Sequence, residues 1–291
     1  MPRTSLVRSL ALTAALAVAS LALVACSGTP APVAPPDGLA VAIQQGRLDV
    51  VQGRLVVRFE NTGDAPVTIE GFTVDTPTLT PGLERTKPFE LVPGDAIAVR
   101  LDLPASICDA EPGPVVVDLT FATATTSGEV QLTADDPFDT VARVNAADCL
   151  GESVADVAAI VMPQHLRSTG AGADRRAIID IEIEPAASGD ATMRIERVYG
   201  TTLLGPEDGV DWMLGNDVAA GDAPFTISLP VSPARCDAHA LADDKRGTIL
   251  PFEVEASDGR SGRLDVPASD GLKAELYAYY GERCGLQAPP G

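Results

Sequence analysis

Four cysteines sit in two matching sets of surroundings, and this repetition restricts the fold more than any other feature of the 291 residues. Leu103-Pro104-Ala105-Ser106-Ile107-Cys108-Asp109-Ala110 returns as Leu229-Pro230-Val231-Ser232-Pro233-Ala234-Arg235-Cys236-Asp237-Ala238. Ser127-Gly128-Glu129-Val130 returns as Ser261-Gly262-Arg263-Leu264, and Cys149-Leu150-Gly151 and Cys284-Gly285-Leu286 close the two stretches. Upstream, Gly63-Asp64-Ala65 with Val67-Thr68-Ile69-Glu70 parallels Gly189-Asp190-Ala191 with Met193-Arg194-Ile195-Glu196, and Gly94-Asp95-Ala96 parallels Gly221-Asp222-Ala223. The spacing between partners drifts only from 126 to 135 residues, which implies two tandem domains, 38–151 and 152–287, with a flexible tail at 288–291. Four cysteines allow three pairings, but a duplicated unit that folds alone pairs its own, which predicts Cys108 with Cys149 and Cys236 with Cys284. Metal binding is the rival use. Cys236 and His239 have a ligand-like spacing, yet the first copy carries Glu111 at the corresponding place, so no metal site is expected.

Inside each copy, short β-rich runs alternate with turn residues. Leu55 to Glu60 precedes an Asn61-Thr62-Gly63-Asp64 turn, and Val67 to Val74, Ile97 to Leu103, Val115 to Ala122 and Glu129 to Thr133 follow. The second copy has matching runs at Ile178 to Ile183, Thr192 to Tyr199, Ile249 to Ala256 and Gly262 to Val266. Helix periodicity is hard to find, and Lys273 to Tyr280 reads as a tyrosine-rich last strand with Ala274, Leu276, Ala278 and Tyr280 facing the core. Seven or eight strands per copy without a crossover helix predict an all-β protein of two antiparallel β-sandwiches with one disulfide each. The Arg58-Phe59-Glu60-Asn61-Thr62-Gly63-Asp64-Ala65-Pro66-Val67 stretch resembles the strand, turn and strand of bacterial immunoglobulin-like modules. That resemblance implies a fold class and no activity.

The start of the chain reads as a leader for export. Arg3 and Arg8 precede an uncharged run from Leu10 to Ala25 that is shorter than a membrane span needs. It ends in Leu23-Val24-Ala25-Cys26, which resembles the lipobox of bacterial lipoproteins. The resemblance implies removal of residues 1–25 and lipid on Cys26, anchoring the protein to the outer face of the cytoplasmic membrane. Multiple acyl chains hold firmly, at about 0.8 kcal/mol per buried methylene. Residues 26–37, with Pro30, Pro32, Pro35 and Pro36, form an extended tether. Scarce lysine with abundant alanine, arginine and proline suggests a GC-rich genome and, with the lipobox, an actinobacterial source.

The full chain carries a net charge of −20, and loss of Arg3 and Arg8 leaves 19 basic against 41 acidic side chains. Nucleic acid is therefore not an expected partner, since phosphate contacts need a basic face. Acyl-transfer chemistry needs a base beside the nucleophile, and the two histidines, His165 and His239, lie near no such motif. Asp135-Asp136 and Asp243-Asp244 lack calcium-loop spacing and read as solvated turns. No cofactor is expected. The second copy adds Trp212 and the tyrosine-rich segment, in which Lys273, Glu275, Tyr277 and Tyr279 share one face of the expected strand. Together these five residues form a candidate binding patch, because tyrosine and tryptophan provide contact area at small entropic cost; the alternative is that these aromatics fill the core or cover the interface between the copies. The function expected is a non-catalytic envelope lipoprotein that binds or scaffolds a protein or glycan outside the membrane. The alternatives are a hydrolase using two carboxylates on envelope glycans, and a solute-binding lipoprotein serving a transporter.

Overall fold

The computed structural model describes residues 33–242 and 246–286. The leader, Cys26, most of the tether, Asp243-Asp244 and the tail lie outside the described residues.

The first copy comprises β1 (Leu39–Gln44), a short α1 (Arg47–Val51), β2 (Arg54–Asn61), β3 (Val67–Asp75), β4 (Leu83–Arg85), β5 (Phe89–Leu91), β6 (Ala96–Asp102), β7 (Val116–Ala122), β8 (Ser127–Thr133) and α2 (Thr140–Val157). One sheet runs β1-β2-β6 and the other β4-β3-β7-β8, with β5 also on β3. The second copy comprises β9 (Ala158–Val161), β10 (Arg167–Thr169), β11 (Arg176–Pro185), β12 (Thr192–Val198), β13 (Leu204–Gly205), β14 (Trp212–Ala219), β15 (Phe225–Pro233), α3 (Ala238–Ala242), β16 (Ile249–Ala256), β17 (Ser261–Pro267) and α4 (Asp270–Arg283). Its sheets run β10-β11-β15-β13, with β9 beside β11, and β14-β12-β16-β17. The paired strands are antiparallel, and both copies carry a register shift at the same point, between Ile69 and Gly71 on β3 and between Ile195 and Arg197 on β12. The two expected sandwiches are present.

Strand alternation explains the cores. On β11, Ala177, Ile179, Ile181 and Ile183 are buried while Glu182 and Glu184 are exposed. On β2, Leu55, Val57 and Phe59 point inward, and Phe59 meets Phe72 at 4.8 Å between ring centroids. Asn61 ends this inward row. Its amide donates to Ala65 O at 2.9 Å and Leu91 O at 3.0 Å, and its carbonyl accepts from Gly63 N at 3.0 Å. A buried amide so completely used holds the turn in place. The incoming chain crosses this turn at Gly38, whose φ is +75° and where a Cβ would lie 2.2 Å from Gly63 N. Only glycine fits there.

The two long helices correct the sequence reading. Residues 273–280 form part of α4, not a strand: Leu272, Leu276, Tyr279 and Tyr280 are buried at helical spacing. Ser269 caps the helix by accepting from Leu272 N at 3.2 Å, and Gly285 follows it at φ +64°. Helix α2 crosses the expected boundary at 151/152. Val141 and Val144 pack into the first core, while Leu150, Val154 and Val157 pack into the second. The Asp136 carboxylate accepts from Thr140 N at 2.7 Å and Val141 N at 2.9 Å, satisfying the free amides of the helix start. No helix among the described residues is long and apolar enough to cross a membrane.

The disulfides are Cys108–Cys149 and Cys236–Cys284, with Cα–Cα distances of 5.4 and 5.2 Å. Each ties the loop that follows the last strand of one sheet to the helix that ends the copy.

Two outcomes follow from this packing. Leu150→Ala should destabilise the second sandwich by about 3 kcal/mol. Trp212, the sole tryptophan, lies in that sandwich, so its fluorescence during urea unfolding should report an earlier transition. Replacing Cys108 and Cys149 by serine opens a loop with a sequence separation of 41 residues. The chain-entropy estimate for the loss is about 4 kcal/mol, measurable by urea titration followed by far-ultraviolet circular dichroism, which reads both sandwiches.

Candidate binding faces

Helix α4 divides the expected patch. A helix of 3.6 residues per turn sends Tyr279 to the core, where its hydroxyl donates to Val231 O at 2.8 Å and Arg175 lies 5.8 Å from its ring centroid. Burial pushes the Tyr279 phenol above its ordinary pKa. Trp212 is also buried, and its indole N–H donates to Pro230 O at 2.7 Å, bridging the two sheets. Neither belongs to an exposed patch. Lys273 remains exposed, with its ammonium 5.9 Å from the ring centroid of half-buried Tyr277. Structure thus brings Lys273 and Tyr277 together and takes Trp212 and Tyr279 away.

Glu275 has a structural partner. It accepts from Leu166 N at 2.6 Å and faces His165 Nδ1 at 2.8 Å. Seven residues on, Glu282 accepts from Gly172 N at 2.7 Å and from Arg175 at 2.7 Å. Both glutamates sit on one edge of α4 and grip the 165–175 segment. Their pKa values are held below the ordinary range, chiefly by the Leu166 amide on Glu275 and by the Gly172 amide on Glu282. His239 lies in α3, with its amide N–H on Asp237 at 2.9 Å. Asp135 pairs through its backbone with Val41 and Ile43 on β1. Among the described residues no group of three or more histidine, cysteine or acidic side chains is arranged to hold a metal.

The outer faces of the two four-stranded sheets differ more than the repeat suggests. In the second copy, register aligns Met213, Arg197, Glu253 and Arg263 in a row across β14-β12-β16-β17. Arg197 is hydrogen-bonded to Glu253, reaches Asp211 at 3.6 Å and lies 5.0 Å over the Tyr199 ring. Arg194 spans Glu196 at 2.8 Å and Asp217 at 2.6 Å, and Arg263 meets Asp265 at 2.6 Å. Arg197, Arg194 and Arg263 are thus each paired with carboxylates of this face, while Glu255, opposite Arg194, is exposed without a hydrogen-bond or ion-pair partner among the described residues and lines a concavity of about 470 Å³. Glu253 is shifted downward, first by its bond to Arg197, and the Arg197 guanidinium is shifted upward by the same bond.

In the first copy, the place of Arg197 in the β-bulge is taken by Gly71. The corresponding row reads Gly71, Thr120, Glu129, and the adjoining row reads Glu84, Thr73, Asp118, Gln131. With no long side chain at 71, a shallow concavity of about 510 Å³ opens over these strands. Asp118 accepts from Gln131 at 2.9 Å, whereas Glu84 and Glu129 are exposed and have no hydrogen-bond or ion-pair partner among the described residues. Arg85 lines the rim, but its Nε–H donates to Lys87 O at 2.9 Å and its guanidinium lies 5.6 Å over Phe89. Sequence reasoning missed this face. The signal was present: Ile69-Glu70 and Ile195-Glu196 match, and the next residue is Gly71 in one copy and Arg197 in the other.

The molecule is thus a tandem pair of immunoglobulin-like β-sandwiches, each stapled by one disulfide. No family model matches the chain, and no curated protein matches it either. Among solved structures, a red sea bream transglutaminase overlaps 80% of this chain at 11% identity and a TM-score of 0.25. The chain spans only 31% of that enzyme's length. The YadV chaperone overlaps 77% of this chain and 96% of its own, at 12% identity and a TM-score of 0.21. A chaperone and tip adhesion subunit complex of Csu pili from Acinetobacter baumannii overlaps 79% of this chain and 100% of its own, at 10% identity and a TM-score of 0.18. Overlaps this low add nothing to the topology described above and say nothing of activity.

The depressed pKa values of Glu275 and Glu282 carry a sign. A carboxylate lowered on folding adds stability that is complete above its unfolded value, here the ordinary 4.5, and is lost as the pH falls through the lower folded value. Amide hydrogen exchange at Leu166 and Gly172, corrected for the intrinsic pH dependence, should therefore accelerate as acid protonates the two glutamates. Glu275→Gln should raise exchange at Leu166 already at neutral pH.

Proposed function

We propose that the protein is a cell-envelope lipoprotein, held outside the membrane by lipid on Cys26, and that its two sandwiches form a non-catalytic binding module. The observation that supports this reading is the open face of the first sheet, where exposed Glu84 and Glu129 have no hydrogen-bond or ion-pair partner among the described residues over a concavity of about 510 Å³. The path of the chain supports presentation away from an anchor. Val33 lies against Gly128 at the start of β8, and α2 leads into the second sandwich from beyond the other end of that strand. The tether and the second sandwich therefore attach at opposite ends of the first.

Cys26→Ala should move the protein from the membrane fraction to the soluble exported fraction. Retention in the membrane would sink the lipid anchor. Cross-linking in the producing cells, with the native lipidated protein as bait and mass spectrometry as readout, should return one abundant protein partner. Efficient cross-linking of the bait to nothing specific, together with turnover of cell-wall glycan by the purified protein, would replace the binding reading with a hydrolytic one.

A further inference from the structure

We infer that the end of the first sandwich around α1 and Phe138 is a self-complementary surface through which two copies of this chain associate. The inference goes beyond the binding-module reading and does not rest on it. Register puts Arg100 opposite Val56, on the side of the β1-β2-β6 sheet away from the inward row of β2, and Arg100 Nε donates to Asp49 at 2.8 Å. Helix α1 therefore covers that outer side. With Asp49 turned inward, Leu48, Val50 and Val51 are left 52%, 39% and 49% exposed. Gln45, which leads into α1, lines a concavity with Phe138, Asp139 and Arg143, and Asp135 bonds through its backbone to Val41 and Ile43. The turn before α2 thus stands beside the same end of β1, and Phe138 on it is 64% exposed. A lone exposed apolar side chain is ordinary, but four large ones on adjacent segments form a patch of the kind that associates.

The fold explains why this patch is uncovered. In the second copy the closing helix α4 lies over the segment after the first strand and holds it through Glu275 and Glu282. Helix α2 closes the first sandwich but departs for the other core, so α1 receives no such cover. The turn carrying Phe138 is already fixed, because Asp136 accepts from Thr140 N and Val141 N and Arg143 Nε donates to Phe138 O at 2.9 Å. An element ordered before association has less entropy to lose on binding.

Charge selects a second copy as the occupant. Arg47, Arg54, Arg100 and Arg143, four of the seven basic residues between 38 and 151, gather at this end, so repulsion between two chains of net charge −20 is least here. The side chains of Arg47, Asp135 and Asp139 have no partner among the described residues, and all three are exposed. Across a two-fold axis, Phe138 of each copy meets α1 of the other and Arg47 meets Asp135 and Asp139, so every contact is made twice. A wholly acidic partner would leave the two aspartates facing like charge, and a wholly basic one would do the same to Arg47 and Arg143.

The test is sedimentation velocity on the full mature chain carrying Cys26→Ala, over a dilution series into the millimolar range at about 0.15 M salt, where exposed charges farther apart than about 8 Å are screened. The chain should pass from monomer to dimer as concentration rises. Phe138→Ser with Leu48→Ser should weaken dimerisation about tenfold or more, at an unchanged melting temperature because both side chains are exposed. Arg47→Glu and Asp135→Lys should each weaken it about threefold or more. Asp135 is the better site for reversal because Asp139 has a φ of +49°. An equimolar mixture of these two variants should recover the affinity of the parent chain, since their reversed charges face each other across the axis.

A chain that stays monomeric throughout overturns the inference. So does a dimer untouched by the Phe138 and Leu48 variant, or a mixture no tighter than its components. Cross-links in the producing cells that join the Phe138 turn to a different protein, in place of a second copy, would overturn the occupant and leave the binding-module reading intact. Dimerisation in the absence of any other partner would uphold the inference and remove that reading.

Discussion

Helix α2 is the constraint on which the rest of the molecule depends. One continuous run of backbone hydrogen bonds buries Val141 and Val144 in one core and Leu150, Val154 and Val157 in the other. Bending it would break helical bonds and withdraw apolar side chains from one of the cores, so the two sandwiches are coupled through a stiff element in place of a loop. The contact is reinforced where the second sandwich meets α2. Ser153 Oγ lies 2.7 Å from Asp258 Oδ2, and Arg260 donates both to Asp258 at 2.6 Å and to Cys108 O at 3.2 Å. Arg260 thus touches the loop that the first disulfide fixes to α2. The bridge, the helix and the 257–260 turn form a single junction.

The same elements serve different ends in the two copies. Leu150 of α2 lies 3.8 Å from a Cβ position at Gly262 on β17, while Val33 at the end of the tether lies against the equivalent Gly128 on β8. Each sandwich is therefore approached along the same strand by the chain that precedes it. The helix ending the first copy continues into another core, whereas α4 ends at Arg283 and spends its acidic edge on the 165–175 segment. The outer faces diverge at the bulge: Arg197 stands against Glu253 in the second, where Gly71 lies beside Thr120 in the first.

Much of this was legible. The repeat required two domains, its cysteine pairs required one bridge in each, and the β-rich runs between turn residues fell where β2, β7, β11 and β16 form, because such residues fit a pleated, half-buried surface. The reading of 273–280 as a strand failed because Leu276 and Tyr280 satisfy both a period of two and a period near 3.6. The discriminating signals lay outside the segment, in Ser269 before it and Gly285 after it, which together mark the two ends of a helix. Without them Tyr279 was assigned to solvent.

Sequence by itself determined the duplication, the bridges and the sandwich class, because each depends on local pattern or on a comparison of the chain with itself. Tertiary structure alone decided that α2 belongs to both cores, that Trp212 spans two sheets, that Glu275 holds a loop, and that Arg197 meets Glu253 at a bulge where the first copy has Gly71 beside Thr120. Those properties depend on which side chains meet across strands far apart in the chain. Register and the packing of a helix against a sheet set such meetings, and a linear pattern does not carry either one.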